Sequence, residues 1–323
     1  MKLCFSSSLR LAVCSVLLAF GTSLRADWTL SDAASPDAPG RQVDIKDGDR
    51  LVARFIYGEG QLKPYLHLFA DNGDPLTKWS EKQQYPHHRG IYIGWNQIQS
   101  DLGRFDLWHL NQGGKMTLLK LEKLTGGKDS ATLVATIEWR GGTNSSNLLI
   151  TETRTMTVSR PGGKAVQVDT NFKLHAARDL NLGGDLQHAG AHLRVHEGVV
   201  ARQKETSYLW SPANLEKSGD KLVGNAIQWC RFLFPIEDRW YAATQFNSPQ
   251  NPVEELSTRA YGRFGFFFKK AMKKDEAFSL NYRFLVEPAE APEQKPQPSA
   301  AQSAKARSET EARYAAFAKS LKR

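Results

Sequence analysis

Cysteine is scarce in this 323-residue chain. There are three, and two of them, Cys4 and Cys14, lie in the first 26 residues. With only Cys230 beyond them, no disulfide can form within the body, and the fold must rest on core burial. In Ile227-Gln228-Trp229-Cys230-Arg231-Phe232 that thiol reads as core packing. Apolar runs of membrane-spanning length are also missing. The run Leu11–Phe20 has ten residues, where a spanning helix needs about 18 or more. A dominant charge is missing too. The net charge is +9, but Lys2, Arg10 and Arg25 supply three of those charges, and the segment 288–323 supplies three more. The body is left at about +3 with no basic stripe, which argues against nucleic-acid binding. Neither a Walker loop nor a Gly-x-Ser-x-Gly elbow is present.

What is present at the start is an address. Lys2 and Arg10 flank a polar stretch, the ten-residue apolar run follows, and Ala26 offers a cleavage point before Asp27. Residues 1–26 are therefore expected to be a signal peptide, and the protein to be periplasmic or secreted, with no integral membrane segment in the mature chain.

The body reads as strands. Leu133, Ala135, Ile137 and Trp139 alternate with polar residues, as do Val166, Val168, Phe172 and Leu174. The same period of two recurs at Phe264, Phe266 and Phe268, and at Phe278, Leu280, Tyr282 and Phe284. Gly-Gly pairs at 113–114, 126–127, 141–142, 162–163 and 183–184 punctuate these runs as turns. About 13 to 15 strands are expected between residues 42 and 287. The pattern predicts an all-β fold, one large antiparallel β-sandwich spanning residues 27–287. A linker rich in Pro, Ala, Gln and Ser is expected over 288–307. A short amphipathic helix over 308–323 follows, with a capping box at Ser308–Glu311 and Tyr314, Phe317 and Leu321 on one face. Such a tethered helix could dock on a partner.

The eight histidines are not spread evenly. Pro86-His87-His88-Arg89-Gly90 is followed by Asp106-Leu107-Trp108-His109, and a second block reads Asp185-Leu186-Gln187-His188. Histidine titrates nearest neutral pH and can pass a proton to or from a sugar hydroxyl or an acidic carbon. His87, His88 and His188 are the candidate acid–base residues. Candidate substrate-binding residues are Arg89, Trp95, Asp106, Trp108, His109, Asp185, Gln187 and Arg263: the guanidinium groups for an oxygen, the indoles for a sugar face, the carboxylates as opposing partners or to orient a ring nitrogen. His188, His192 and His196 are spaced by four, which suits a metal chelate on a helix. On a strand, His188 and His192 would stand roughly 13 Å apart, too far to share an ion unless Gly190 bulges the strand. No cofactor is expected, and a divalent metal on the histidine cluster is kept as an alternative.

Lys63-Pro64-Tyr65-Leu66-His67, the Pro-His-His-Arg-Gly element, the Asp-Leu-Trp-His element, Gln187-His188-Ala189-Gly190 and Tyr261-Gly262-Arg263-Phe264-Gly265 together resemble a PmoA-like family of uncharacterised exported bacterial proteins. The resemblance covers roughly residues 42–287, and Tyr85 departs from it where a histidine or an acid is expected before the proline. It implies a galactose-mutarotase-like supersandwich that acts on a sugar or sugar derivative, where a histidine and a carboxylate do acid–base work. The label "methane oxygenase" attached to that family does not suit a body without spanning helices. Three functional readings follow. The first is an exported carbohydrate-active enzyme, with epimerase, lyase and hydrolase left open. The second is a non-catalytic glycan-binding or cell-envelope module. The third is a histidine-liganded metalloenzyme.

Overall fold

The alternation in the middle of the chain becomes the inner face of a sheet. In the strand Ser130–Gly141, Leu133, Ala135, Ile137 and Trp139 are all fully buried. Asn147–Ser159 pairs with it on one side and with Val166–Ala176 on the other. Ala277–Pro288 and Arg239–Asn247 continue an eight-stranded antiparallel sheet. A ten-stranded sheet packs against it. Within that sheet Tyr65–Leu68, Gly90–Trp95, Ala189–Arg194, Arg263–Phe267 and Glu255–Arg259 lie side by side in that order. Leu66, Ile91, Ile93, Leu193, Phe264 and Phe266 fill the core between the two sheets. The fold is the all-β sandwich expected from the pattern.

The computed structural model describes residues 27–36, 39–79, 85–185, 187–218, 221–295 and 297–322. The expected signal peptide, residues 1–26, lies outside the described residues. Among these there are 22 strands, all but Trp28–Ala34 in or overlapping the span 42–287, where 13 to 15 are expected. The surplus is in short pieces such as Gly103–Phe105 and Lys270–Met272, which belong to a separate four-stranded sheet. Segments of three residues carry too few alternations to register as a period.

The C-terminal helix is longer than the sequence pattern indicated. It runs Ala300–Ser320, with Ser299 accepting from the Gln302 N–H and the Gln302 side chain accepting from the Ser299 N–H. The helix thus starts inside the expected linker, and Ser308 lies within it. The Ala-rich stretch from residue 300 has high helix propensity, which the composition of the linker masked. Phe317 is buried against Trp229, Phe246 and Leu285, with Tyr314 and Leu321 beside it. Arg307 lies over the Trp229 ring at 5.4 Å and donates to the Trp210 carbonyl at 2.8 Å. The apolar face proposed for an outside partner is spent on the chain's own sheet.

One buried ion pair connects the core to the site. Arg154 holds Glu152 through two bonds of 2.6 and 3.0 Å, both side chains fully buried. Trp139 Nε1 adds a bond to Glu152 at 2.7 Å. Arg154 Nη1 also donates to the Pro64 carbonyl at 3.2 Å, which anchors the segment that carries Lys63.

Candidate active site

The ten-stranded sheet has two different faces. Side chains pointing into the sandwich are apolar, whereas alternate positions on the other face carry Tyr65, Tyr92, His192, Arg194 and Arg263, all buried. His192 is paired with Tyr92 on one neighbouring strand and with Gly265 on the other, and Arg194 with Arg263. Loops cover this polar face. Gly94 permits one of them, because a Cβ there would stand 2.4 Å from the Leu107 carbonyl oxygen. The Asp106–His109 segment therefore lies directly on the strand, tied by the Leu107 N–H to the Trp95 carbonyl at 2.9 Å.

The two sequence blocks meet over this face. The ring of His87 lies 4.8 Å from that of His109, and His109 lies 4.7 Å from His188, centroid to centroid. His87 and His88 touch edge to face at 4.1 Å, because the chain turns at Pro86 and His87 instead of extending. Trp108 is fully buried beneath them, 5.5 Å from His88, 4.7 Å from His192 and 5.9 Å from His188. It is the floor of the site, not an exposed stacking surface.

Asp106 and Asp185 do the same job in two copies of one local element, Asp-Leu-x-His. Asp106 Oδ1 accepts the backbone N–H groups of Trp108 and His109 at 2.9 and 2.8 Å, and its Oδ2 meets His109 Nδ1 at 2.8 Å. Asp185 Oδ1 accepts the Gln187 N–H at 3.0 Å and meets His188 Nδ1 at 2.8 Å. Burial pushes both carboxyls up, but the bonds from His109 and Trp108, and from His188, Gln187 and Asn96, outweigh it and hold them below the usual range. Each ionised carboxylate accepts a hydrogen bond from the Nδ1–H of its histidine, which leaves the lone pair of the neutral ring on Nε2. Burial lowers His188 below the ordinary histidine value against the pull of Asp185. Burial, then the nearby Lys63, push His87 to about 2.

Other predicted residues take different places. Trp95 is fully buried in the sandwich core against Trp139 and Phe268, on the opposite face of its strand from Tyr92, and cannot reach a substrate there. Arg89 is buried, donating to Gln61 Oε1 at 2.6 Å and lying 4.1 Å over the Tyr65 ring. Arg263 is buried under Trp108 at 5.8 Å, bonding the Gln187 carbonyl, His192 Nδ1 and Ser257 Oγ. Gln187 thus contributes its backbone. The series at 188, 192 and 196 does not converge: Trp108 lies against both His188 and His192, His192 is fully buried, and His196 caps a short 3-10 helix. Among the described residues, no three His, Cys, Asp or Glu side chains are grouped so as to hold a metal ion.

Sequence reasoning passed over Lys63, Tyr92 and Arg194. The Lys63 amine is buried and donates to the Trp108 carbonyl at 2.8 Å, 4.9 Å over the Tyr92 ring. Burial first, with Arg89 and Arg154 adding to it against Asp106, lowers it to about 7. Alternation along Ala189–Arg194 was the available signal for Arg194.

With this geometry in hand, the class is an all-β sandwich with a histidine–carboxylate site on the outer face of one sheet. The chain belongs to a family of unknown function (DUF6807), whose model matches residues 42–300. That match overturns the resemblance to a PmoA-like family. No curated protein matches the chain. Among solved structures it is similar to an α-galactosidase from Lactobacillus brevis, at 10% identity and TM-score 0.34, over 71% of this chain and 38% of that one. It is also similar to the heparan sulfate lyase HepC from Pedobacter heparinus, at 11% identity and TM-score 0.30, over 83% of this chain and 36% of that one. The chain spans well under half the length of either. No helix among the described residues is long and apolar enough to cross a membrane.

Proposed function

We propose that this site performs proton-transfer chemistry on a sugar or sugar derivative in an exported enzyme. The observation that carries the reading is the facing pair of carboxylate-held imidazoles, His109 on Asp106 and His188 on Asp185, with rings 4.7 Å apart. Neutral His188 accepts a proton at Nε2 from a hydroxyl or an acidic C–H. The proton then passes by way of the facing His109 Nε2 to an oxygen of the same substrate, so the pair finishes with its proton count unchanged. Beside them Tyr85 stacks on Tyr261 at 5.5 Å, and the Tyr85 ring is exposed. That aromatic face suits the C–H side of a sugar ring.

The test is a proton NMR screen of the full chain in D2O against aldoses, uronates and short glycans, followed by His109→Ala and His188→Ala. Turnover should fall by about 10²-fold or more in each variant with the fold intact. Undiminished turnover in the double variant would overturn the assignment.

A further inference from the structure

We infer that the molecule bound here carries a carboxylate, received by the donors His88 Nδ1–H, Tyr92 O–H and Arg194 Nε–H on the polar face of the ten-stranded sheet. The inference deepens the acid–base reading above and rests on it for the rest of the substrate.

All three side chains are at least 98% buried. None of these three atoms has a hydrogen-bond partner among the described residues. That is unusual, since buried polar atoms are nearly always paired. The tautomer of His88 is fixed, because Trp108 Nε1–H donates to its Nε2 at 3.0 Å and an indole cannot accept. Its free nitrogen therefore carries hydrogen. The Arg194 Nε is a donor by chemistry, and the Tyr92 hydroxyl has its hydrogen to give.

A run of contacts through Tyr85 and Tyr261 links the three residues. His88 stacks on Tyr92 at 5.8 Å. Tyr85 lies 5.4 Å from His88 and 5.5 Å from Tyr261, and Arg194 lies 4.8 Å over Tyr261 and donates to its carbonyl. Tyr85, the exposed member, holds a left-handed backbone with φ of 61°, so its ring is set as a roof by a conformation tyrosine rarely adopts. Tyr85 is thus the exposed residue that packs over the His88 ring.

Charge points the same way. Lys63 and Arg263 are buried nearby, and their bonds run to carbonyls, hydroxyls and an imidazole. Asp106 and Asp185 are held by their histidines. An incoming carboxylate supplies the missing acceptor and adds negative charge opposite these cations. A uronic acid is the matching class, placing its ring at the Tyr85–Tyr261 face and its carboxylate below.

Calorimetric titration of the full chain with glucuronate and galacturonate, each against its neutral hexose, reads this directly. The uronate should bind at least about tenfold more tightly. Tyr92→Phe, which removes a hydroxyl that bonds nothing in the protein, should keep the melting temperature and lose that preference, a drop of about tenfold or more for one hydrogen bond to a charged group. Equal binding of uronate and hexose, no binding of either uronate, or a preference that survives Tyr92→Phe would overturn the subsite. Tighter binding of a sugar sulfate or sugar phosphate would overturn its assignment to a carboxylate. The acid–base reading fails separately, through the His109 and His188 variants, neither of which lines this subsite.

Discussion

The indole N–H of Trp108 donates to Nε2 of His88 across 3.0 Å, and this bond keeps His88 neutral with its proton on Nδ1. His192 is fixed in the opposite tautomer. Its Nδ1 faces the donor Arg263 Nη1 at 3.3 Å, and its Nε2 faces the Ala189 carbonyl at 2.9 Å. Neither ring can gain a proton without losing a bond.

Stability should therefore fall on mild acidification. Burial, then the charge of Arg263, hold His88 and His192 well below the ordinary value, and burial with Arg89 does so for His67. Unfolded, each takes a proton as the pH drops through about 6.5. Folded, it does not, so below that pH the unfolded state binds more protons and stability declines. The slope approaches about 1.4 kcal/mol per pH unit for each such site. Lys63, lowered to about 7 from 10.5, acts with the same sign higher up: stability still rises with pH between those values. Urea melts at several pH values between 5 and 9 measure this, and a flat profile would contradict neutral burial of these groups.

Asp185→Asn should move His188 further from its ordinary basicity. Burial lowers that imidazole, while the hydrogen bond and charge of Asp185 raise it. An amide removes the charge and with it the upward pull. NMR titration of the His188 ring should show a midpoint shifted to lower pH, with the acid limb of turnover moving in the same direction. Turnover at neutral pH should drop by about 10²-fold or more, since an amide no longer fixes the Nδ1–H tautomer. An unmoved midpoint would mean that the 2.8 Å contact carries no coupling.

Much of the sandwich was legible because Ser130–Gly141, Val166–Ala176 and Ala277–Pro288 are long enough for a period of two to repeat several times. The site was legible as composition, in the two histidine blocks, but not as roles. Trp95 and Trp108 look alike in sequence, yet parity along Gly90–Trp95 sends Trp95 into the core, while Gly94 seats Trp108 on the other face. Asp106 and Asp185 read either as opposing partners at a substrate or as groups that orient a ring nitrogen, and only the folded Asp-Leu-x-His element shows each facing its own histidine. Lys63 could not be found from sequence: nothing local distinguishes a lysine that will be buried, and its burial depends on Arg154 holding Pro64 from a distant strand.

Gly94→Ala should damage the site through the backbone. The added methyl would stand 2.4 Å from the Leu107 oxygen and 3.4 Å from the Trp108 Cα, and neither belongs to a flexible side chain. The Asp106–His109 segment must lift, which costs about 1–3 kcal/mol as overpacking and withdraws Trp108 from His88. Near-ultraviolet circular dichroism and a urea melt should register the loss together. A variant with native stability and native tryptophan signals would mean that the loop does not rest on the strand.

Phe317→Ala tests whether the C-terminal helix belongs to the fold. The ring lies 6.1 Å from Phe246, with Arg283 over it at 5.1 Å, and truncating a buried phenylalanine costs about 3–5 kcal/mol where the structure cannot relax. A helix with one principal anchor relaxes by detaching, so the loss should appear locally. Hydrogen exchange across Ala300–Ser320 should become fast, Trp229 and Phe246 should become accessible to an apolar dye, and the strands around His109 and His188 should keep their protection. Unchanged exchange in the helix would show that Arg307 and Arg313, through Trp210 and Glu287, hold it without the ring. Loss of protection throughout both sheets would instead make the helix an integral part of the sandwich core.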